Sequence, residues 1–549
     1  MKPVFSTLTE LYDFATSAYA RRTASEFTSG GQKYTYSQFK DCCDNISRIL
    51  SNFGIGASDK VAILSENMPN WSIAFFAVTA FGRIAVPMLP DLSHDEVENI
   101  LAHSETKAIF ISKKQLGKLS EETVKRLNLV IDIEDFSFIK AIGESYTCDG
   151  KVSVPTPLDI AAILYTSGTT GNAKGVMLSH RNFCFNVLSS WYSFRISRKD
   201  VFLSILPMAH TYELSIGMLY PFAMGARVAY LQKVPTPTIL LATLKQIRPT
   251  AMLSVPLIIE KIYKSSVIPA INGSKFLQFL QKDMAWLLYM LIGIKLRKTF
   301  GGRLKFFGIG GAKLDTTVEA FLKKTGFPYA IGYGLTETAP LICAAPPRKT
   351  AVGSTGRAVP GIQVRLNDIN PETGEGEITV KGPNVMLGYY KDYDRTLSVL
   401  SQDGWFRTGD LACCDRKGRY FVRGRLGSLI VGASGENIYP EEIENVINSM
   451  DGISESLVIE RDGQLVALVQ FNDNVIDWQL EGKDKFIEDL EARKKAILEF
   501  VNARVSKFMK IRSVEVQKEP FTKTATHKIK RFLYTKDDKA GKSEAGQTN

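Results

Sequence analysis

Short apolar runs rich in β-branched residues, separated by longer helical stretches, constrain this chain more than any other feature. KVAIL (Lys60 to Leu64), KAIFI (Lys107 to Ile111) and DIAAILYT (Asp159 to Thr166) alternate with segments such as Trp71 to Phe81, which is the pattern of parallel βα units. The expected fold class is α/β, with a large N-terminal layered α/β lobe. Between about Gly353 and Arg423 the texture changes to brief strands set between Gly and Pro turns, as in GEGEITVKGPNVMLGYY and DRKGRYFVRGR, which predicts a β-rich subdomain. A small, mobile α+β C-terminal domain is expected to follow. There YPEEIENVINSM opens with Pro and an acidic first turn, and SESLVIE and QLVALVQF read as strands. Asp484 to Lys510 is expected to be one amphipathic helix carrying Phe486, Leu490, Ile497, Val501, Val505 and Phe508 on a single stripe. The domain boundaries fall at 1–424, 425–535 and 536–549, and the final segment is polar enough to be expected as disordered. No internal repeat is visible.

At 549 residues, with 45% apolar and 23% charged, the chain is an ordinary globular one, neither disordered nor fibrous. Its seven cysteines (Cys42, Cys43, Cys148, Cys184, Cys343, Cys413 and Cys414) form no CxxC and are odd in number. That argues against a disulfide framework and a zinc ribbon and for a reducing compartment. The opening MKPVFSTLTELYDF has no signal-like apolar run, and no stretch reaches the roughly 18 to 20 apolar residues of a membrane span; a cytoplasmic location is expected. The net charge of +11 is concentrated at the C-terminus, where residues 484–549 hold 16 basic and 10 acidic side chains. Such charge suits a nucleic acid, an anionic membrane or a phosphate-bearing substrate. Phe500, Phe508 and Phe532 fall in helical or strand patterns rather than on a stacking surface, so no nucleic-acid partner is expected.

Three stretches carry chemistry. YTSGTTGNAKGV (Tyr165 to Val176) follows an apolar strand. Its small residues let backbone amides converge, the hydroxyls of Thr166, Ser167, Thr169 and Thr170 add donors, and Lys174 adds charge, all of which suits a polyphosphate. It is not a Walker A loop, because Ala173 precedes Lys174 and Gly175 follows it. In GYGLTETAP (Gly332 to Pro340), Tyr333 can offer its ring to a flat base, Thr336 can donate to a phosphate, and Glu337 can hold Mg²⁺, which takes few carboxylates and favours phosphate oxygens. GIGGA (Gly308 to Ala312) fails the dinucleotide fingerprint because Lys313 occupies its last position. In DGWFRTGD, Asp410 can accept both hydroxyls of a ribose.

In this order the stretches closely resemble the adenylate-forming superfamily of acyl-CoA synthetases, peptide synthetase adenylation domains and luciferases. The likeness runs from about Tyr34 to Arg531, through ENMPNWSIAFFAVTAFGRIAVP, LPMAHTYE (Leu206 to Glu213), GRLGSLIVGASGENIYPEEIE (Gly424 to Glu444) and THKIKR (Thr526 to Arg531). Its wording is most like that of AMP-forming long-chain fatty acid CoA ligases. The resemblance implies ATP-dependent activation of a fatty acid to an acyl adenylate and transfer to coenzyme A, with ATP, Mg²⁺ and CoA required. It makes 1–424 the ATP- and acyl-binding domain and 425–535 a lid domain carrying the catalytic lysine.

Residue by residue, the resemblance implies that Thr166, Ser167, Gly168, Thr169, Thr170, Gly171 and Lys174 hold the ATP phosphates. Tyr333 would stack on adenine beside Gly310, Gly311 and Ala312, and Thr336 would touch the α-phosphate. Glu337 and Thr166 would bind Mg²⁺, Asp410 would hold the ribose with help from Arg425, and Lys528 would bridge the substrate carboxylate and the α-phosphate. His210 would gate or line the acyl site, and the loop around Gly435 would approach the adenylate for the second step. The chemistry needs no protein nucleophile, and the sequence carries neither a GxSxG elbow nor an HExxH helix.

Two positions depart from the family pattern. Gly427 stands where Asp or Lys is common at the domain hinge, and His527 stands where Gly usually precedes the catalytic lysine. The alternatives are a ligase of the same fold that hands the acyl group to a carrier protein, and a catalytically inactive acyl- or nucleotide-binding protein. A peripheral membrane contact is expected through an interfacial helix in residues 276–298, whose run Met284 to Ile294 is wholly apolar apart from a tyrosine hydroxyl and is followed by Lys295, Arg297 and Lys298.

Overall fold

The computed structural model describes residues 4–141, 153–167, 173–233, 235–431, 437–472, 483–524 and 528–535. Two large sheets dominate. In an eight-stranded sheet, Lys60–Leu64, Ile84–Met88, Ala108–Ile111 and Leu129–Asp132 run parallel, and Ile160–Ser167 pairs parallel to Ile84–Met88. In a nine-stranded sheet, Thr23–Phe27, Arg227–Tyr230, Val201–Ser204, Ala251–Ser254, Phe306–Ile309 and Tyr329–Gly334 are parallel neighbours. The α/β expectation therefore holds, with antiparallel strands only at the margins.

Parallel sheets bury both faces, so the helices between them must be apolar on more than one side. The helix Pro69–Thr79 is the extreme case: it starts with Pro in its first turn and every residue in it is buried. Phe76 lies 4.6 Å from Phe222 and 5.8 Å from Phe39 by ring centroids, joining three helices in one aromatic cluster.

The β-rich region is a four-stranded antiparallel sheet, ordered Gln363–Asn367, Gly376–Lys381, Phe406–Cys414, Tyr420–Arg425. The C-terminal unit has its own core, in which Ile443, Ile447, Val458, Ala467, Ile497 and Val501 pack together beside a three-stranded sheet. Its long helix is shorter than expected. It spans Lys483–Asn502 and stops because the Asn502 side chain bonds both backbone groups of Ile511, at 3.0 and 2.9 Å, and turns the chain back. Phe508 therefore lies outside the helix and is 44% exposed, while Ile497 and Val501 are buried as the stripe predicts. The side chain of Phe486 and residues 536–549 lie outside the described residues.

Segment 276–298 is likewise not one helix. Lys275–Asp283 and Ala285–Thr299 are separate helices, broken at Met284. No helix among the described residues is long and apolar enough to cross a membrane.

The fold positions the site through strand direction. The loops beginning at Ile205, Gly310 and Leu335 each leave the C-terminal end of a parallel strand in the nine-stranded sheet, at the edge where α/β folds place their clefts.

Candidate active site

The ribose-type aspartate is held by strand register. Asp410 faces Arg425 across the antiparallel ladder, so Arg425 Nε reaches Asp410 Oδ1 at 3.1 Å. The Tyr333 hydroxyl, arriving from the nine-stranded sheet, donates to Asp410 Oδ2 at 2.7 Å. Asp410 is 5% exposed. Burial raises its pKa, while the Arg425 guanidinium, the Tyr333 hydroxyl and the Lys528 ammonium pull against that rise.

Glu337 sits in the short turn Thr336–Thr338, and Tyr389 donates to its Oε1 at 2.9 Å. The Lys174 ammonium lies 5.3 Å from the centroid of the same Tyr389 ring, opposite Thr166 in the strand pair. Burial and then the Arg395 charge lower the Lys174 pKa. Among the described residues no three His, Cys, Asp or Glu side chains form a metal cage. A Mg²⁺ ion bound by one carboxylate and the oxygens of a phosphate substrate requires no such cage, so Glu337 fits that role.

Lys528 is exposed as a residue, yet its ammonium lies close enough to Arg425, Asp410 and Glu337 to feel their charges. Desolvation and then the Arg425 charge lower its pKa, against the two carboxylates. Its strand segment is hung on the small domain by Arg531, whose guanidinium grips both Glu444 carboxyl oxygens at 2.8 and 3.0 Å and donates to the Val458 carbonyl at 2.6 Å. Lys313 meets Glu442 at 3.0 Å and Lys530 meets Glu96 at 3.9 Å, contacts that join the C-terminal unit to the parallel-sheet region.

The LPMAHTYE loop is braced by Asn67 of the ENMPNW stretch, which donates to the Leu206 carbonyl at 2.6 Å and accepts from the Met208 amide at 3.0 Å. His210 feels the Lys528 charge. Burial, with that charge, lowers its pKa to about 4, so at neutral pH it is a neutral ring rather than a cation. Tyr212 packs against Gly310, while Gly311 (φ +86°) and Ala312 are exposed at the rim. Tyr212, Ile216, Gly308 and Gly332 also line a narrow apolar cavity of about 40 Å³ that extends to Phe194, Phe306 and Pro346. Glu213 lies behind this wall, 1% exposed, with its carboxyl folded over Gly217, where a Cβ would come within 2.6 Å. Burial pushes its pKa up to about 8, and its Oε2 has no hydrogen-bond partner among the described residues.

The structure thus gathers Tyr333, Glu337, Asp410, Arg425 and Lys528 in one cleft, with Thr166, Lys174, Thr336, His210 and Gly310 around it. Gly168, Thr169, Thr170, Gly171 and Gly435, the side chain of Ser167, and the His527 departure lie outside the described residues. Gly427 occupies the turn Leu426–Ser428, where a Cβ would meet nothing within 4 Å.

Sequence reasoning missed the asparagines that hold the cleft together. Buried Asn186 donates to the Thr338 carbonyl at 3.0 Å and accepts from the Leu341 amide at 2.8 Å, clamping the Glu337 turn from both ends. Asn182 bonds the carbonyls of Pro383 and Val385, and Met386 donates to the Glu337 carbonyl at 2.9 Å. The faint signal was two asparagines one helical turn apart, Asn182 and Asn186, among apolar residues of the same helix. The close approach it supports explains Gly334, where a Cβ would lie 1.8 Å from the Pro340 carbonyl oxygen.

Two outcomes follow from this packing. Asn186→Ala orphans a buried carbonyl and a buried amide, so it should lower the unfolding free energy by at least about 2 kcal/mol in urea titrations and speed amide exchange in 335–341. Glu213 is neutral in the fold but charged when unfolded above its ordinary pKa of 4.5. Folding therefore takes up a proton, and this group's contribution weakens by about 1.4 kcal/mol per pH unit from near pH 5 to near pH 8. The stability gap between Glu213→Gln and the parent should widen over that window; a constant gap would contradict a neutral buried acid.

Comparison with known proteins places these features in context. The sequence profile described as AMP-binding enzyme matches residues 14–390. The chain is 30% identical to the peroxisomal long chain acyl-CoA synthetase 7 of Arabidopsis thaliana, over 96% of this chain and 85% of that one. It is 28% identical to the chloroplastic long-chain-fatty-acid–[acyl-carrier-protein] ligase AEE15 of the same plant, over 78% and 71%. In fold it superposes on the o-succinylbenzoate CoA synthetase of Bacillus subtilis, solved with an acyl-adenylate, with a TM-score of 0.76 at 22% identity, covering 96% of this chain and 98% of that one. Because that profile covers well over half of the chain, this chain belongs to the AMP-binding enzyme family.

Proposed function

We propose that this enzyme activates a long-chain fatty acid with ATP to an acyl adenylate and passes the acyl group to coenzyme A. The observation that carries the reading is the convergence of Asp410, Tyr333 and Arg425, the Glu337 carboxylate and the Lys528 ammonium beside an apolar cavity.

In the first step a carboxylate oxygen of the acid attacks the α-phosphorus of ATP, and the bond to the β-phosphate oxygen breaks with its electron pair, releasing pyrophosphate. A carboxylate is a poor nucleophile toward an anionic phosphate, so positioning and charge compensation supply the rate. Asp410 accepts the ribose hydroxyls and fixes the nucleotide, while Lys528 sits between attacking carboxylate and phosphate. Mg²⁺ held at Glu337 supplies further positive charge to the phosphate oxygens when bound. In the second step a thiolate attacks the acyl carbon and AMP leaves. In this reading Gly427 is the hinge between a unit 1–424 and a unit 425–535, and rotation about it exchanges Lys528 for the loop around Gly435 between the two steps.

The apolar lining supports a fatty acid, but a cavity of about 40 Å³ has room for only a few water-sized groups and not for a long acyl chain. Among its lining residues Phe194 and Phe306 stack at 4.1 Å with an interplanar angle of 20°, both half-buried. In this reading the two rings separate to admit a long chain. Relatives named for CoA and for a carrier protein both support an acyl adenylate and leave the acceptor to experiment. A fatty acid that is scarce in water and abundant in bilayers also makes contact with a membrane face part of the reading.

Lys528→Ala should abolish fatty-acid-dependent ATP–pyrophosphate exchange while leaving thioester formation from supplied acyl adenylate largely intact; equal loss in both would remove Lys528 from its role. Phe194→Ala should raise kcat/KM for a sixteen-carbon acid relative to an eight-carbon acid by roughly tenfold, about 1.4 kcal/mol. An unchanged ratio would place the acyl chain elsewhere. Offering CoA and acyl-carrier protein side by side identifies the acceptor.

A further inference from the structure

The helical pair Lys275–Asp283 and Ala285–Thr299 has a small core of its own and a surface of unusual composition. Ile271, Leu280 and Leu288 are buried together beneath it. A helix covering such a core ordinarily turns polar residues outward. Here the outward positions hold Phe276 (62% exposed), Phe279 (54%), Trp286 (68%), Met290, Leu291 and Ile294 (58%). Trp286, Met290 and Ile294 are spaced by four, so they form one stripe along the second helix. An apolar patch of this density on a soluble fold marks a docking face.

Charge identifies what docks. The stripe ends in Lys295, Arg297 and Lys298, all exposed. The chain then turns through Gly301 and Gly302 to Arg303, which shares a cleft with Arg21, Arg22, Arg198, Lys199 and Arg227, with Asp200 as the one acidic residue lining it. Those five basic residues come from parts of the chain far from the helical pair in sequence, so the basic region at this end of the helix exists only in the folded protein. Exposed aromatic and aliphatic side chains bordered by clustered basic groups suit an interface of acyl chains under anionic headgroups.

We propose that this helical pair is the surface by which the enzyme lies on an anionic bilayer, with Trp286, Met290 and Ile294 inserted among the acyl chains and the adjoining basic residues against the headgroups. The inference deepens the fatty-acid reading, which supplies its motive. Vesicle binding is measured without substrate, so the two readings fail separately.

The test is co-sedimentation of the full chain with phosphatidylcholine vesicles, with and without phosphatidylglycerol. The parent should pellet with the anionic vesicles. W286S/M290S/I294S should lower the partition coefficient by roughly tenfold or more, with an unchanged circular dichroism spectrum and unchanged ATP-dependent activation of a short, water-soluble acid. K295E/K298E should weaken binding to the anionic vesicles alone. A parent that stays in the supernatant, or a folded apolar variant that pellets equally, overturns the proposal. So does a charge variant with undiminished binding. A parent that light scattering shows to be a dimer, and that the apolar substitutions make monomeric, assigns the face to a second copy of the chain and overturns it as well.

Discussion

A parallel strand covered on both faces can present chemistry only where it ends, and that burial requirement shapes this protein. The helix Pro69–Thr79 has no solvent face, and Phe76, Phe39 and Phe222 fill the space between layers. With the faces sealed, the segments that carry Leu206–Glu213, Gly308–Ala312 and Gly332–Pro340 emerge at one edge of the nine-stranded sheet. They converge because adjacent parallel strands end together, although 118 residues lie between Glu213, the end of the first, and Gly332, the start of the last.

Electrostatics in the cleft are a balance of desolvation and pairing. Burial raises the Asp410 pKa, while the ladder register sets Arg425 opposite it and the neighbouring sheet delivers the Tyr333 hydroxyl, both of which pull against that rise. Lys528 is brought in by a segment that Arg531 ties to Glu444, so its placement depends on an ion pair with no contact to the cleft. His210, held neutral by burial and by that same lysine, cannot add positive charge; it can only shape the site. Each of these groups has its ionisation set by partners from a different part of the chain, which is how one cleft keeps a carboxylate and an ammonium close together.

Much of this was legible before any coordinates. Lys60–Leu64 forms a strand with the bounds its composition announces, the expected strand from Lys107 begins one residue later at Ala108, and Pro440–Asn448 opens with the proline and acidic turn that predict it. Tyr333, Glu337, Asp410, Arg425 and Lys528 were all named, and they meet. The misses share a cause. The helix expected to reach Lys510 ends at Asn502 because a side chain bonds Ile511, nine residues on. The break at Met284 lies inside an apolar run that gives no local stop signal. Asn182 and Asn186 clamp turns only because Val385 and Thr338 lie beside them in the fold.

Periodicity and residue type are local properties, so the order of strands and helices, the glycines that permit close backbone approach and the identity of the charged residues can be read along the chain. Tertiary structure alone decided which charges face each other, how narrow the cavity beyond Gly332 is, and which apolar residues of 276–298 face outward. Those depend on strand register, on stacked rings such as Phe194 and Phe306, and on what packs beneath Leu280 and Leu288. Such contacts join residues far apart in the chain, and no local pattern records them.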